Sequence, residues 1–251
     1  MEEITFENTH QSGEVVFEND LYIHIHHPEM LLSYDNNYIK FKSNPSVAEF
    51  TETEQYLRSF HLKYGQKHVK FNFPENEKLT PELINLLIAA NYNIGLLELY
   101  TIQPNQFPAV KGNPEITIQP VSDINLDTYL EFQFEQDLKF GYGYAEQRQV
   151  QHERNFRNEK ILQLIAYFQG FPAGSADVII TNGTAEIAEF IVRETFQKKG
   201  IGSRLQKYVM DQFFDKAVIL VANGEDTARD MYRRQNYQYL GYKIEVMKVN
   251  E

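Results

Sequence analysis

The stretch FIVRETFQKKGIGSRLQKYVMDQF, Phe190 to Phe213, restricts the fold more than any other part of the chain. It passes from an apolar run through two close glycines, Gly200 and Gly202, into a segment of helical period. No Ser, Thr, Asp or Asn stands directly before that segment to cap it. The first turn of a helix leaves four N–H groups without intrahelical partners, and a side-chain acceptor ordinarily takes part of that load. Lys198, Lys199, Gly200, Ile201 and Gly202 supply no such acceptor. Glycines let a ligand approach the backbone, and the helix dipole and two lysines favour an anion there. The pattern therefore predicts a strand, a tight turn and a helix. Spacing alone does not choose between an anion in the turn and a bare, solvated basic edge.

At 251 residues the chain has room for one large domain or two ordinary ones, and 42% apolar residues with 18 Phe and 16 Tyr are ample for packed cores. Cysteine is absent, which excludes disulfides, thiol nucleophiles and cysteine metal sites. A net charge of −11 argues against nucleic acid as a partner and leans towards small cations. The N-terminus is acidic and polar, and no apolar run reaches membrane-spanning length. The expectation is a cytoplasmic protein without a membrane partner.

The C-terminal part alternates regularly. EITIQPV reads as a strand, and SDINLDTYLEFQFEQ as a helix with Leu126, Tyr129, Leu130 and Phe134 on one face. GYAEQRQVQHERNFRN reads as a second, polar helix. KILQLIAYF, AGSADVIIT and AEIAEFIVR follow as three antiparallel strands, joined by QGFP and by the hairpin signal Asn182-Gly183. After the glycine turn come the helix IGSRLQKYVMDQFF, the strand AVILVA, the helix DTARDMYRRQ and the strand YLGYKIEVMKV.

This order, with Gln197-Lys198-Lys199-Gly200-Ile201-Gly202 at its centre, resembles the GNAT acyltransferase superfamily over roughly residues 114–249. The family signature there is Gln or Arg, two residues, Gly, one residue, then Gly or Ala. AEI and FIV within Ala185–Val192 look like its fourth strand, Gly174 matches the glycine opening its third, and TARDMYRRQNY looks like its tyrosine-bearing helix. Two positions depart: Glu225 stands where an Asn is usual, and Asn236-Tyr237 replaces Gly-Phe. The resemblance implies an α+β fold, a mixed but mostly antiparallel sheet flanked by helices. It implies acetyl-CoA as acyl donor, its pyrophosphate on the backbone from Lys198 to Ser203 and its pantetheine along Phe190, Ile191 and Val192. A strand bulge there would supply one N–H to the thioester carbonyl. Asn223 is the substitute for the missing asparagine. Tyr232 falls where the family places its acid, Glu186 where some members place a base, with Glu189 as second candidate. A packing role for Tyr232 and a water chain in place of a carboxylate base stay open. Glu135, Asp137, Tyr142 and Tyr144 fall in the region that lines the acceptor pocket, where a primary amine, small or peptidic, would bind. An inactive coenzyme A-binding or interaction module is the alternative function.

The first part of the chain reads as a smaller α/β domain, residues 1–103, followed by a linker at 104–113 rich in Pro, Gly and Asn, and then the acyltransferase domain at 114–251. Asn91-Tyr92 and Asn236-Tyr237 each end a helix before an apolar strand, which suggests a decayed second copy without the glycine signature and with Leu87 in place of Tyr232. A chain beginning near Gly112 is then expected to keep acetyl-CoA binding, and the reading leaves room for a homodimer. HIHH (His24–His27) reads as an edge-strand pair of histidines rather than a metal site.

Overall fold

A computed structural model of the protein describes residues 3–224 and 228–249. The expected C-terminal order is present: β6 (Ile116–Pro120), α3 (Leu126–Asp137), α4 (Tyr142–Phe156), β7 (Ile161–Phe168), β8 (Phe171–Ile180), β9 (Thr184–Val192), α5 (Ile201–Gln212), β10 (Ala217–Asn223), α6 (Ala228–Arg234) and β11 (Gln238–Val249). Two tight turns set the register of its central meander. Gln169 and Gly170 both have positive φ, 52° and 84°, the conformation that two-residue hairpins between twisted strands require. At Asn182-Gly183 the Thr181 N–H donates to the Thr184 carbonyl at 2.9 Å. Along β8 the side chains alternate faces. Ser175 and Asp177 bond Gln133 and Tyr129 of α3, while Gly174 faces Ile201 and Leu205 of α5. Helices thus cover both faces of the β6–β9 meander.

The earlier part holds β1 (Glu14–Glu18), β2 (Tyr22–His26), β3 (Tyr38–Phe41), α1 (Val47–Lys63), β4 (His68–Asn72), α2 (Pro81–Ala89) and β5 (Asn93–Ile102). Ser46 and Glu49 close a capping box on α1, and Thr80 with Pro81 starts α2. The histidines of HIHH are not on an edge: β2 pairs with β1 on one side and β3 on the other, and His24 and His26 are buried. The sequence reading missed β1 because EVVFE is exposed along its whole length and shows no alternation of burial. The helix ends at Asn91 and Asn236 match in geometry. Both residues are left-handed, with φ 57° and 67°, and the following Tyr92 and Tyr237 N–H groups close back on Leu87 and Tyr232 at 2.9 and 3.0 Å.

The chain forms two compact units, each made of segments from both sides of residues 104–113. One carries β6–β9, α3–α6, β10 up to Val221, β5 from Leu99 and β11 up to Leu240. Its strands run in the order β5-β10-β9-β8-β7-β6. The other carries β1–β4, α1, α2, β5 up to Glu98 and β11 from Gly241, in the order β1-β2-β3-β4-β11-β5. Its core is aromatic, with Phe41, Phe50, Phe71 and Phe73 fully enclosed by Leu57, Leu83, Leu87 and Val246. Truncating one such Phe to Ala costs about 3–5 kcal/mol. Most pairings in both units are antiparallel; β3 with β4 and β9 with β10 are parallel.

Candidate active site

The glycine turn has the predicted form. Lys198 and Gly200 are left-handed, with φ 61° and 88°, α5 begins at Ile201, and no side chain caps it. The first intrahelical bond runs from the Arg204 N–H to the Gly200 carbonyl at 3.1 Å, so the preceding N–H groups point outward from the helix end. Nothing lies within 4 Å of the place where a Gly200 Cβ would stand. The turn forms one wall of a cleft of about 600 Å³, whose other wall is the Pro-rich segment from Phe107 to Pro114. Lys111, Lys199 and Arg204 line it, together with Gln235, a 7% exposed side chain whose Oε1 has no hydrogen-bond partner. The donor set, basic and rich in free backbone N–H, fits a phosphate-bearing ligand. Gln197 and Gly202 turn back onto β9: Gln197 donates to the Val192 carbonyl at 3.4 Å, and Gly202 sits over the Phe190 ring.

Next to the turn, β9 and β10 part. Their parallel ladder holds only Thr184, Ala185 and Glu186 opposite Ala217, Val218 and Ile219, although β9 continues to Val192 and β10 to Asn223. Beyond this fork Phe190, Ile191 and Val192 are half-buried, and Asn223 is exposed. On its other side β9 is bulged. Ser175 pairs with Ile191 and Asp177 with Ala188, which leaves Glu189 and Phe190 outside the register. Glu189 has φ 47°, rare for a residue with a long side chain. The bulge explains Gly174, because a Cβ there would lie 2.7 Å from the Ile191 carbonyl oxygen.

Glu186 sits in the fork, 8% exposed, and accepts a hydrogen bond from the His10 N–H at 2.6 Å. Burial raises its pKa to about 7, against a smaller lowering by that N–H. Glu189 is tied to Arg148 at 2.9 Å, which occupies its carboxylate. The half-buried Tyr232 ring lies 5.4 Å from that of Tyr100 and 5.5 Å from that of Tyr237. Glu225 lies outside the described residues.

The acceptor-side candidates have partners of their own. Glu135 pairs with Arg193, and Asp137 faces Arg148 at 3.7 Å and His152 at 3.5 Å. Tyr142 is 64% exposed and packs edge-on against Phe134. Beneath them is a buried polar network the sequence reading did not find. Tyr129 donates to Asp177 at 2.6 Å, and Gln133, Gln163 and Asn155 add further bonds at 3.0–3.4 Å. The sequence carries no clear signal for it, because the flanking helix GYAEQRQVQHERNFRN is polar throughout, although Ala145, Arg148 and His152 prove to be its buried face.

Residues 125–237 match the acetyltransferase (GNAT) family. They belong to it. Residues 4–100 match a domain of unknown function, DUF5613. A GCN5-related N-acetyltransferase from Kribbella flavida aligns over 94% of this chain and 90% of its own, with a TM-score of 0.63 at 15% identity. A tandem GNAT protein from the clavulanic acid biosynthesis pathway aligns over 84% of this chain and 75% of its own, with a TM-score of 0.54 at 11% identity. At these identities they show the fold alone, and their coverage extends the GNAT fold over the N-terminal part as well. A conserved protein of unknown function from Staphylococcus epidermidis ATCC 12228 is 33% identical over 99% of this chain and 98% of its own, with a TM-score of 0.90. No curated protein matches the chain. Among the described residues, no helix is long and apolar enough to cross a membrane.

Proposed function

We propose that the protein transfers the acetyl group of acetyl-CoA to a primary amine by direct attack. The observation that carries this reading is the fork between β9 and β10, whose ladder stops at Glu186 and Ile219 beside a bulged strand and an uncapped helix start. A pantetheine chain fits such a gap as an added strand on Phe190, Ile191 and Val192. Its pyrophosphate falls to the N–H groups from Lys198 to Ser203, and Asn223 borders the opposite strand. The chemistry then needs a base, a carbonyl donor and an acid. Glu186 takes the proton that an ammonium must lose before it attacks, and a pKa near neutrality suits that task. The Phe190 N–H, outside the β8 register, donates to the carbonyl oxygen as negative charge develops on it. Tyr232 gives its phenolic proton to the departing thiolate. Glu135, Asp137 and Tyr142 are assigned to the acceptor mouth, where they shape the wall through their existing pairs rather than as free charges.

The test uses the absence of cysteine: free CoA is the only thiol in the reaction, so a thiol-specific dye reads turnover directly across a panel of amines. Amine-dependent CoA release is expected, together with acetyl-CoA binding by calorimetry. Binding without release for any amine would favour the inactive module, and no binding would overturn the reading altogether.

A further inference from the structure

The left-handed Glu189 stands in the β9 bulge with no glycine to make that conformation easy. Such a conformation is strained and persists only where its surroundings over-determine it. Arg148 on α4 is the group in place to do so. Its Nη2 is 2.9 Å from Glu189 Oε1, its side chain is 9% exposed, and Asp137 at the end of α3 lies 3.7 Å from its Nε. Burial alone would favour a neutral Arg148, but Glu189, Tyr144, Asp137 and Asp177 more than reverse this and keep it charged. The ion pair therefore reaches from the helices of the acceptor side to the one strained residue next to Phe190.

We propose that Arg148 is a positioning residue, which holds Glu189 left-handed so that the Phe190 N–H points out of the sheet towards the acyl carbonyl. This rests on the acetyl-CoA reading above. Arg148 touches neither substrate in this scheme; it acts through the backbone of the bulge. A purely structural ion pair would stabilise the fold and leave the polarity of a bound carbonyl unchanged.

The experiment is isotope-edited infrared spectroscopy of acetyl-CoA labelled with ¹³C at the carbonyl, with CoA and acetyl-CoA affinities measured by calorimetry on the same full-length proteins. In the native protein the bound carbonyl band is expected to shift to lower frequency. Arg148→Met should lose that shift while CoA binds within about twofold of the native affinity, and turnover should fall by about ten- to a hundredfold, the scale of one lost carbonyl donor. Arg148→Lys, which keeps the charge near Asp137 with a shorter reach, should give an intermediate loss and serves where Arg148→Met does not fold. The deciding variant is Arg148→Met combined with Glu189→Gly. Glycine adopts the left-handed conformation without a clamp, so the shift should return. A shift retained in Arg148→Met, or not regained in the double variant, overturns the positioning role while the cofactor reading stands. Failure of the native protein to bind acetyl-CoA overturns both.

Discussion

Glu186 lies buried at the fork of β9 and β10 with the His10 N–H on its carboxylate, and burial lifts its pKa to about 7 from an ordinary 4.5. A raised folded-state pKa means that the folded protein holds the proton more tightly than the unfolded chain. The contribution of Glu186 to stability is then greatest below about pH 4.5, declines as pH rises, and levels off above about 7. Glu186→Gln keeps an acceptor for His10 and removes the cost of a buried charge. The variant should therefore melt higher than the native protein at pH 8, by the equivalent of about 1–3 kcal/mol, and nearly equal to it at pH 5. Its turnover should lose the limb that rises with pH through about 7; a native-like pH profile would remove Glu186 from the role of base. Tyr232→Phe should leave acetyl-CoA affinity unchanged and slow turnover by about ten- to a hundredfold, and unaltered turnover would leave Tyr232 as packing for Tyr100 and Tyr237. The positions of Glu186, Phe190 and the glycine turn were legible because fixed spacing within one strand-turn-helix carries them. Arg148 was not, since a charged residue on a polar helix reads as solvent-facing until Glu189 and Asp137 are seen around it. For the same reason Glu135 and Asp137 could be located but their cationic partners could not.

Between elements, the clearest consequence lies where β2, α1 and β4 meet. His24, His26, His61 and His68 are buried there among Tyr56, Phe60 and Tyr64, with ring centroids of His61 and His68 only 4.6 Å apart. Burial, with smaller contributions from neighbouring histidines and Lys70, lowers His24 and His68 to about 4 and His61 to about 3, and also lowers His26. Depressed pKa values have the opposite sign to that of Glu186: the unfolded chain takes up protons first, near pH 6.5, so stability is lost as pH falls from there towards 4. Denaturant midpoints measured at pH 7.5 and pH 5 should drop accordingly. His24→Phe should reduce the drop, since it removes one titrating group from a site already lined by rings. An equal drop in this variant would place the acid sensitivity elsewhere. The strand was readable from the alternation in YIHIH, but its interior place was not, because β1 offers no alternation to announce a neighbour. The matched helix ends at Asn91 and Asn236 were readable, since the left-handed turn fixes the residue type; Leu87, fully buried where its counterpart is Tyr232, is used by the N-terminal part for its core.

At the scale of the whole molecule, a chain starting near Gly112 keeps acetyl-CoA binding only if it survives the loss of its neighbouring strands. The unit that contains the glycine turn includes Leu99–Ile102 of β5, with Leu99, Tyr100 and Ile102 almost fully buried and Tyr100 against Tyr232. The other unit includes β11 from Gly241, where Val246 closes the aromatic core and Glu245 pairs with Lys70 at 2.6 Å. Sequence periodicity locates strands but says nothing about which strand lies beside which, so this exchange was invisible in the letters. Removing residues 1–111 deletes the strand next to β10 and strips β11 of its partner β4, exposing Val246 and the underside of Tyr232. Such a chain should aggregate or bind no acetyl-CoA. Cutting the backbone without removing anything is different. A protease site placed between Ala109 and Asn113 leaves every β5–β10 and β4–β11 pairing in place, so the two fragments should co-elute in size-exclusion chromatography and retain acetyl-CoA affinity within a few-fold. They should separate only in denaturant. A soluble chain from Gly112 with native affinity, or fragments that part on dilution, would show that the shared strands are dispensable to the site.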